Sequence, residues 1–228
     1  MEEHEQLTPG EIPPDCESFQ KFLALSEEKR ERIINAAMKE FLGGYKKAST
    51  DNIVREAGIS KGLLFHYFGT KERLYNFLID YSINTAKKEY INLINVLQPD
   101  ILESVWQLAL LKQDLSTNFP ALFDFMTSTI VDTSIKNEST KAKLEKFNQI
   151  QGEIMTKVYA NADVSLFKEG IDPTTAMNIV MWTLQGFGQS KVQSSAVETI
   201  GRDARENYDK FLEEFQEVLN TLRLCFYK

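Results

Sequence analysis

STDNIVREAGISKGLLFHYFGTK, residues 49–71, carries two short helical runs on either side of Gly58, and its reading decides the fold. Ser49 or Thr50 is suited to cap the first run, which holds Ile53, Val54 and Ala57. Gly58 supplies the backbone freedom for a tight turn. Ser60 caps the second run, Lys61 to about Tyr67, which Gly69 interrupts. Two short helices joined by a glycine-bearing turn form the unit that delivers a helix into the major groove of DNA. Ile53, Ala57, Ile59, Leu64 and Phe68 have the spacing of a small core that fixes the pair, leaving Lys61, Gly62, Leu63, Phe65, His66 and Tyr67 to divide between groove and core.

The chemistry of the exposed positions follows from their place on the helices. Lys61 lies at the positive end of the second helix, where its ammonium and the free backbone N–H groups can engage a phosphate or a base edge. Gly62 permits close approach, and the hydroxyls of Ser49, Thr50 and Tyr67, with Lys71, are placed as phosphate clamps. His66 has only His4 as a fellow histidine, which leaves no triad or metal set, so it is read as a groove contact or a core or solvent-facing residue.

Outward from this stretch, apolar residues recur at helical spacing and strand-type alternation is absent, which predicts an all-α chain. Upstream, Ser26 caps a helix that buries Ile33, Ile34, Ala37, Met38 and Phe41 and ends at Gly43-Gly44. Residues 1–18, with Pro9, Gly10, Pro13 and Pro14, read as a flexible acidic tail. Downstream, Thr70 caps a longer helix through Leu74, Phe77, Leu78 and Tyr81. Further helices are expected after Pro99-Asp100 and after Phe119-Pro120, over roughly 139–161, after Asp172-Pro173, and over about 203–226. The divisions expected are a tail at 1–18, a three-helix helix-turn-helix domain at 19–73 and a helical domain at 74–228.

The charge of the 228-residue chain is −7, which argues at first against a nucleic-acid partner. Its distribution reverses that. Between Phe19 and Arg73 there are 11 Lys/Arg against 7 Asp/Glu, a local +4, so the remainder carries −11. An acidic body with a mildly basic N-terminal module suits contact with DNA at one end only. Two cysteines, Cys16 and Cys225, give neither a disulfide framework nor a metal cluster, and no run reaches the length of a membrane span. Cys225, without basic neighbours, reads as a packing residue or inert thiol. A cytoplasmic setting, no membrane, no metal and no cofactor are therefore expected. Paired carboxylates at a telling spacing, a nucleophile motif and a phosphate loop are all missing, so an enzyme is not expected. Gly186-Phe187-Gly188 lies inside a helical pattern without a preceding strand, so close packing of helices is expected there rather than a phosphate loop.

FLGGYKKASTDNIVREAGISKGLLFHYFGTKERLY, residues 41–75, resembles the N-terminal domain of the TetR family of transcriptional regulators. The shared features are the Gly-Tyr ending, the hydroxyl-led helix, the Ala-Gly turn, Ser-Lys-Gly, the aromatic segment and the closing Lys, over about residues 33–81. The resemblance implies DNA contact from Ser49, Thr50, Lys61, Gly62, Leu63, His66, Tyr67 and Lys71. Two positions depart from the pattern. Phe65 stands where many members have a tyrosine, and Asp51 puts a negative charge where it would oppose phosphate. The turn after Phe41 is about one residue shorter than is common.

For the remainder, the resemblance implies a helical ligand-binding and dimerisation domain. Large rings and methionines gather between residues 106 and 182, and a mostly apolar effector pocket is expected from Trp106, Phe123, Met126, Phe147, Ile150 and Trp182. Such residues at helical spacing also suit plain core. Asp124 would favour a cationic ligand if it faces inward, and is otherwise a solvated residue. Broad apolar stripes at Met177, Met181 and Leu184 and at Phe211, Phe215, Leu219 and Leu222 suit a four-helix homodimer interface. These features together predict a repressor that binds a palindromic double-stranded operator as a homodimer and is released by a small molecule. The alternative is a helical small-molecule-binding protein or enzyme with a vestigial helix-turn-helix.

Overall fold

The breaks marked by Gly, Pro and capping residues are where helices end in the computed structural model, which describes residues 17–94, 98–132, 138–198 and 204–228. The described α-helices are α1 (Glu17–Leu23), α2 (Glu27–Phe41), α3 (Thr50–Ala57), α4 (Lys61–Phe68), α5 (Lys71–Ile94), α6 (Ile101–Asn118), α7 (Pro120–Val131), α8 (Glu138–Ala160), α9 (Pro173–Glu198) and α10 (Ala204–Phe226). The chain is all-α: among the described residues the extended pairing is a single bridge between Phe167 and Tyr227. Asp100 shows how the local sequence sets a boundary, since its carboxylate accepts from the N–H groups of Leu102 and Glu103 and so satisfies two orphan donors of α6. Asp172 opens α9 in the same way, accepting from Thr175 N–H at 2.8 Å.

The tail expectation needs correction at its end. Residues 1–16 lie outside the described residues, but Glu17 and Ser18 open α1 rather than closing a tail. Phe19 and Phe22 on this short helix are buried against Tyr67, Phe68 and Phe77, with the Phe22 and Phe68 rings 4.9 Å apart. A seven-residue helix is marginal alone, so its stability comes from this packing. The Arg30 guanidinium closes the join by donating to the carbonyls of Leu23 and Leu25.

Two apolar cores result. The first joins α1 to α5 around Ile33, Phe41, Ile53, Leu64, Phe68, Leu74 and Leu78, and takes Leu122, Phe125 and Met126 from α7. The second joins α6, α8, α9 and α10 around Leu102, Val158, Val180, Phe215 and Leu219. Helix α5 continues unbroken through the expected division at residue 73. Because α7 contributes to the first core while following α6 of the second, it links the two.

Candidate nucleic-acid interface

Helix α3 is locked to α2 by polar contacts along its length. Glu40 Oε1 accepts from Ser49 N–H at 2.8 Å and from the Asn52 amide at 3.1 Å. Arg32 donates to the Ala57 carbonyl at 3.0 Å, and Lys39 pairs with Glu56 at 3.0 Å. Glu40 thus serves the start of α3, and the Ser49 hydroxyl makes no capping bond. Gly58 then turns the chain at φ +64°, a left-handed conformation that favours glycine. Ser60 Oγ accepts from Leu63 N–H at 3.2 Å and starts α4.

The faces of α4 divide cleanly. Leu64, Tyr67 and Phe68 are buried, Leu63 is half-buried, and Lys61, Gly62, Phe65 and His66 are exposed. Phe65, at 36% exposure, therefore belongs to the outward face despite lacking the hydroxyl common at its position. Tyr67 is the correction: only 5% exposed, it packs its ring on Phe22 at 5.7 Å and sits in the core. A β-carbon on Gly62 would meet nothing within 4 Å. Nothing inside the chain requires glycine there, although alanine is the better helix former.

Cations around this face are held differently from one another. The Lys61 ammonium is 2.9 Å from Asp51 Oδ1, bridging the first turn of α3 to the start of α4. Lys71 is half-buried, donates to the Ala48 carbonyl, and lies 4.9 Å from the centroid of the Tyr45 ring. Burial lowers the Lys71 pKa from its ordinary value, opposed by the nearby Glu40 carboxylate. It braces the loop between α2 and α3 rather than extending outward as a clamp. Lys46 and Lys47 in that loop are exposed, as is Arg73. The sequence signal for the two loop lysines was their adjacency to the hydroxyl-led helix.

Comparisons with known proteins agree with this geometry. Residues 33–77 match the family described as bacterial regulatory proteins, tetR family. The HTH-type transcriptional regulator HbdR of Aromatoleum sp. (strain CIB) is 38% identical over 66 residues, which are 28% of this chain and 29% of that protein. Residues 33–77 are therefore similar to the N-terminal segment of the TetR family. Over most of its length the chain shares the fold of the ketosteroid transcriptional regulator KstR2 of Mycobacterium tuberculosis, with a TM-score of 0.61, 16% identity and coverage of 90% of this chain and 97% of that one. It also shares the fold of FadR from Bacillus subtilis, solved in complex with stearoyl-CoA, with a TM-score of 0.55, 16% identity and coverage of 84% and 96%.

Among the described residues, the expected pocket residues are spread over both cores and the surface. Trp182 is 67% exposed on α9, and Met126 is sealed in the first core. Phe147 packs at the edge of the first core and Ile150 at the edges of both. Phe123 meets Tyr208 edge-on at 5.5 Å, and Trp106 stacks on Phe215 at 6.5 Å. A groove of about 510 Å³ does run beside Trp106, lined also by Gln113, Asp209, Leu212, Glu213 and Gln216. Asp124 is half-buried on α7.

The expected interface residues also sort differently. Leu184, Phe215, Leu219 and Leu222 are buried within the second core of this same chain, where α10 packs against α6 and α9. Met177, Met181 and Phe211 are half-buried at its margin. What α9 leaves outward is Trp182, with Asn178, Gln185, Gly186 and Gln189 around it. On α10 the most exposed apolar side chain is Leu224, at 78%. Cys225 is exposed too, so it is not a packing residue. No described helix is long and apolar enough to cross a membrane.

Proposed function

We propose that the chain is a cytoplasmic, non-enzymatic transcriptional repressor that binds a palindromic DNA operator as a homodimer and is released by a small apolar molecule. The observation that carries the DNA reading is the outward face of α4, where Lys61, Gly62, Phe65 and His66 are exposed beside a glycine the fold does not need. The N-terminal residues of a reading helix meet base edges in the major groove. Lys46, Lys47, Ser49 and Thr50 flank that face as phosphate contacts, with Leu63 at its edge and Lys71 supporting the loop from below. A single eight-residue reading helix is a weak specific binder, so a second copy is required. The α9 face around Trp182 is the site for it, a large exposed ring rimmed by polar and small side chains.

FadR carries stearoyl-CoA, which supports a mostly apolar effector among the half-buried rings of α6, α7 and α8. Asp209 and Glu213 beside Trp106 favour a ligand with a cationic end. Its effect would travel along α7 and α5. Asp132, just past α7, accepts from Tyr45 N–H at 3.0 Å, Ser128 donates to the Leu42 carbonyl at 3.0 Å, and the buried Tyr75 hydroxyl bonds Thr129 at 3.0 Å. A ligand that favours one setting of α7 and of Leu74 and Tyr81 on α5 would shift the loop that positions α3, and with it the spacing of two reading heads.

The experiment is a mobility-shift titration with the DNA upstream of the protein's own gene and an unrelated duplex, at several salt concentrations. Preference for the upstream DNA supports the reading, and equal affinity for both refutes it. Replacing Lys46 or Lys47 with Ala should flatten the log–log salt dependence by about 0.9 for each phosphate that is no longer neutralised.

A further inference from the structure

Asp51 is the residue whose charge fits a DNA-facing surface least, and its surroundings give it a purpose. Its carboxylate lies 2.9 Å from the Lys61 ammonium, both side chains being largely exposed. Helix α4 has no acidic residue in its first turn. The Lys61 ammonium therefore sits at the positive end of a helix, where a cation is disfavoured, and Asp51 offsets this from the neighbouring helix. The pair spans the two elements that face the groove, next to Gly62 and its open space.

This pairing changes what Lys61 can do on DNA. Sequence-independent affinity comes from cations that neutralise phosphates and release counterions. A lysine paired with a carboxylate is already charge-compensated, so it contributes little to that release while the pair is closed, and opening the pair leaves Asp51 facing phosphates. A guanine edge makes no such demand. An ammonium has three donors, so it can keep Asp51 and still donate to O6 or N7.

We propose that Asp51 is a specificity-determining residue, one that withholds Lys61 from the phosphate backbone and directs it to a base edge. The proposal rests on the DNA-binding reading above. Asp51 acts through Lys61, so its removal alters discrimination rather than folding.

The test measures wild-type, Asp51→Asn, Lys61→Ala and the double variant by fluorescence anisotropy against the upstream DNA and an unrelated duplex, across a salt series, with thermal melting of each. Asp51→Asn should bind the unrelated duplex several-fold more tightly, with a salt slope steeper by about 0.9, the value of one phosphate contact. The ratio of upstream to unrelated affinity should fall about tenfold, a loss of ~1.4 kcal/mol. Lys61→Ala should lose the ratio without changing the slope, and the double variant should match it. Asp51→Asn with wild-type slope and ratio overturns the role of Asp51, as does equal weakening on both duplexes with a lowered melting temperature. If the wild-type protein itself does not discriminate, the DNA reading fails, which is a separate result from failure of Asp51 alone.

Discussion

Helices α4 and α9 pose the same structural question and answer it by different means. Each exposes a large aromatic side chain, Phe65 or Trp182, and each carries an exposed glycine, Gly62 or Gly186, whose added β-carbon would touch nothing within 4 Å. The proposed function gives each face a partner to meet. The face on α4 is one side of an eight-residue helix that buries Leu64, Tyr67 and Phe68, packs two of them on Phe22, and is tied to α3 by the Asp51–Lys61 pair. The face on α9 lies on a 26-residue helix fixed by apolar burial of Val180 and Leu184. An outward face bearing Lys61 and His66 suits a partner read by hydrogen bonds, and a face centred on Trp182 suits a second protein surface.

The largest effect should come from breaking the α9 face. Trp182→Glu should convert dimers to monomers by sedimentation and weaken operator binding by about 10²–10⁴-fold, since the second reading head is no longer tethered. A variant that remains dimeric and binds normally would place the interface elsewhere. Gly62→Ala separates fold from function on α4. It should leave the melting temperature unchanged or raise it, a gain of up to ~1 kcal/mol, while binding falls about tenfold. Loss of stability instead would mean that the glycine serves the chain itself.

A smaller effect is expected where α5 meets α7, at the Tyr75–Thr129 bond. Burial, opposed by the bond to Thr129, raises the Tyr75 pKa from 10.0 to about 12. The folded state thus favours the neutral phenol. Its contribution is fully present below pH 10 and is lost as pH rises toward 12, at no more than about 1.4 kcal/mol per pH unit. Tyr75→Phe should remove this part of the alkaline decline in urea-unfolding stability. An unchanged decline would assign it to other groups.

The sequence made α2 to α5 legible because each boundary has a local cause: Gly58 and Gly69 at positive φ, Ser60 and Thr70 as caps. Helix α1 was hidden because its stability lies in Phe19 and Phe22 docking on residues about fifty positions away. The same docking explains Tyr67. In a run of Phe65, His66, Tyr67 and Phe68, helical spacing admits more than one outward face, and the ring of Phe22 decides which is buried. On α9 and α10, periodicity identified the apolar stripes, but Leu184, Phe215, Leu219 and Leu222 are buried in a core of the same chain, where α10 packs on α6 and α9. A stripe reports that a face is buried, not by what. Trp182 lies just beside its stripe, so its exposure needed the packed structure to be seen.

The most direct test of the central claim is a footprint of the full chain on its own upstream DNA, paired with the mass of the complex. Two protected half-sites related by a dyad are expected, their centres one turn, about 34–36 Å, or a multiple apart, with at least two protomers per duplex. A single protected half-site holding one protomer, or no protection at concentrations that saturate an unrelated duplex, would contradict it.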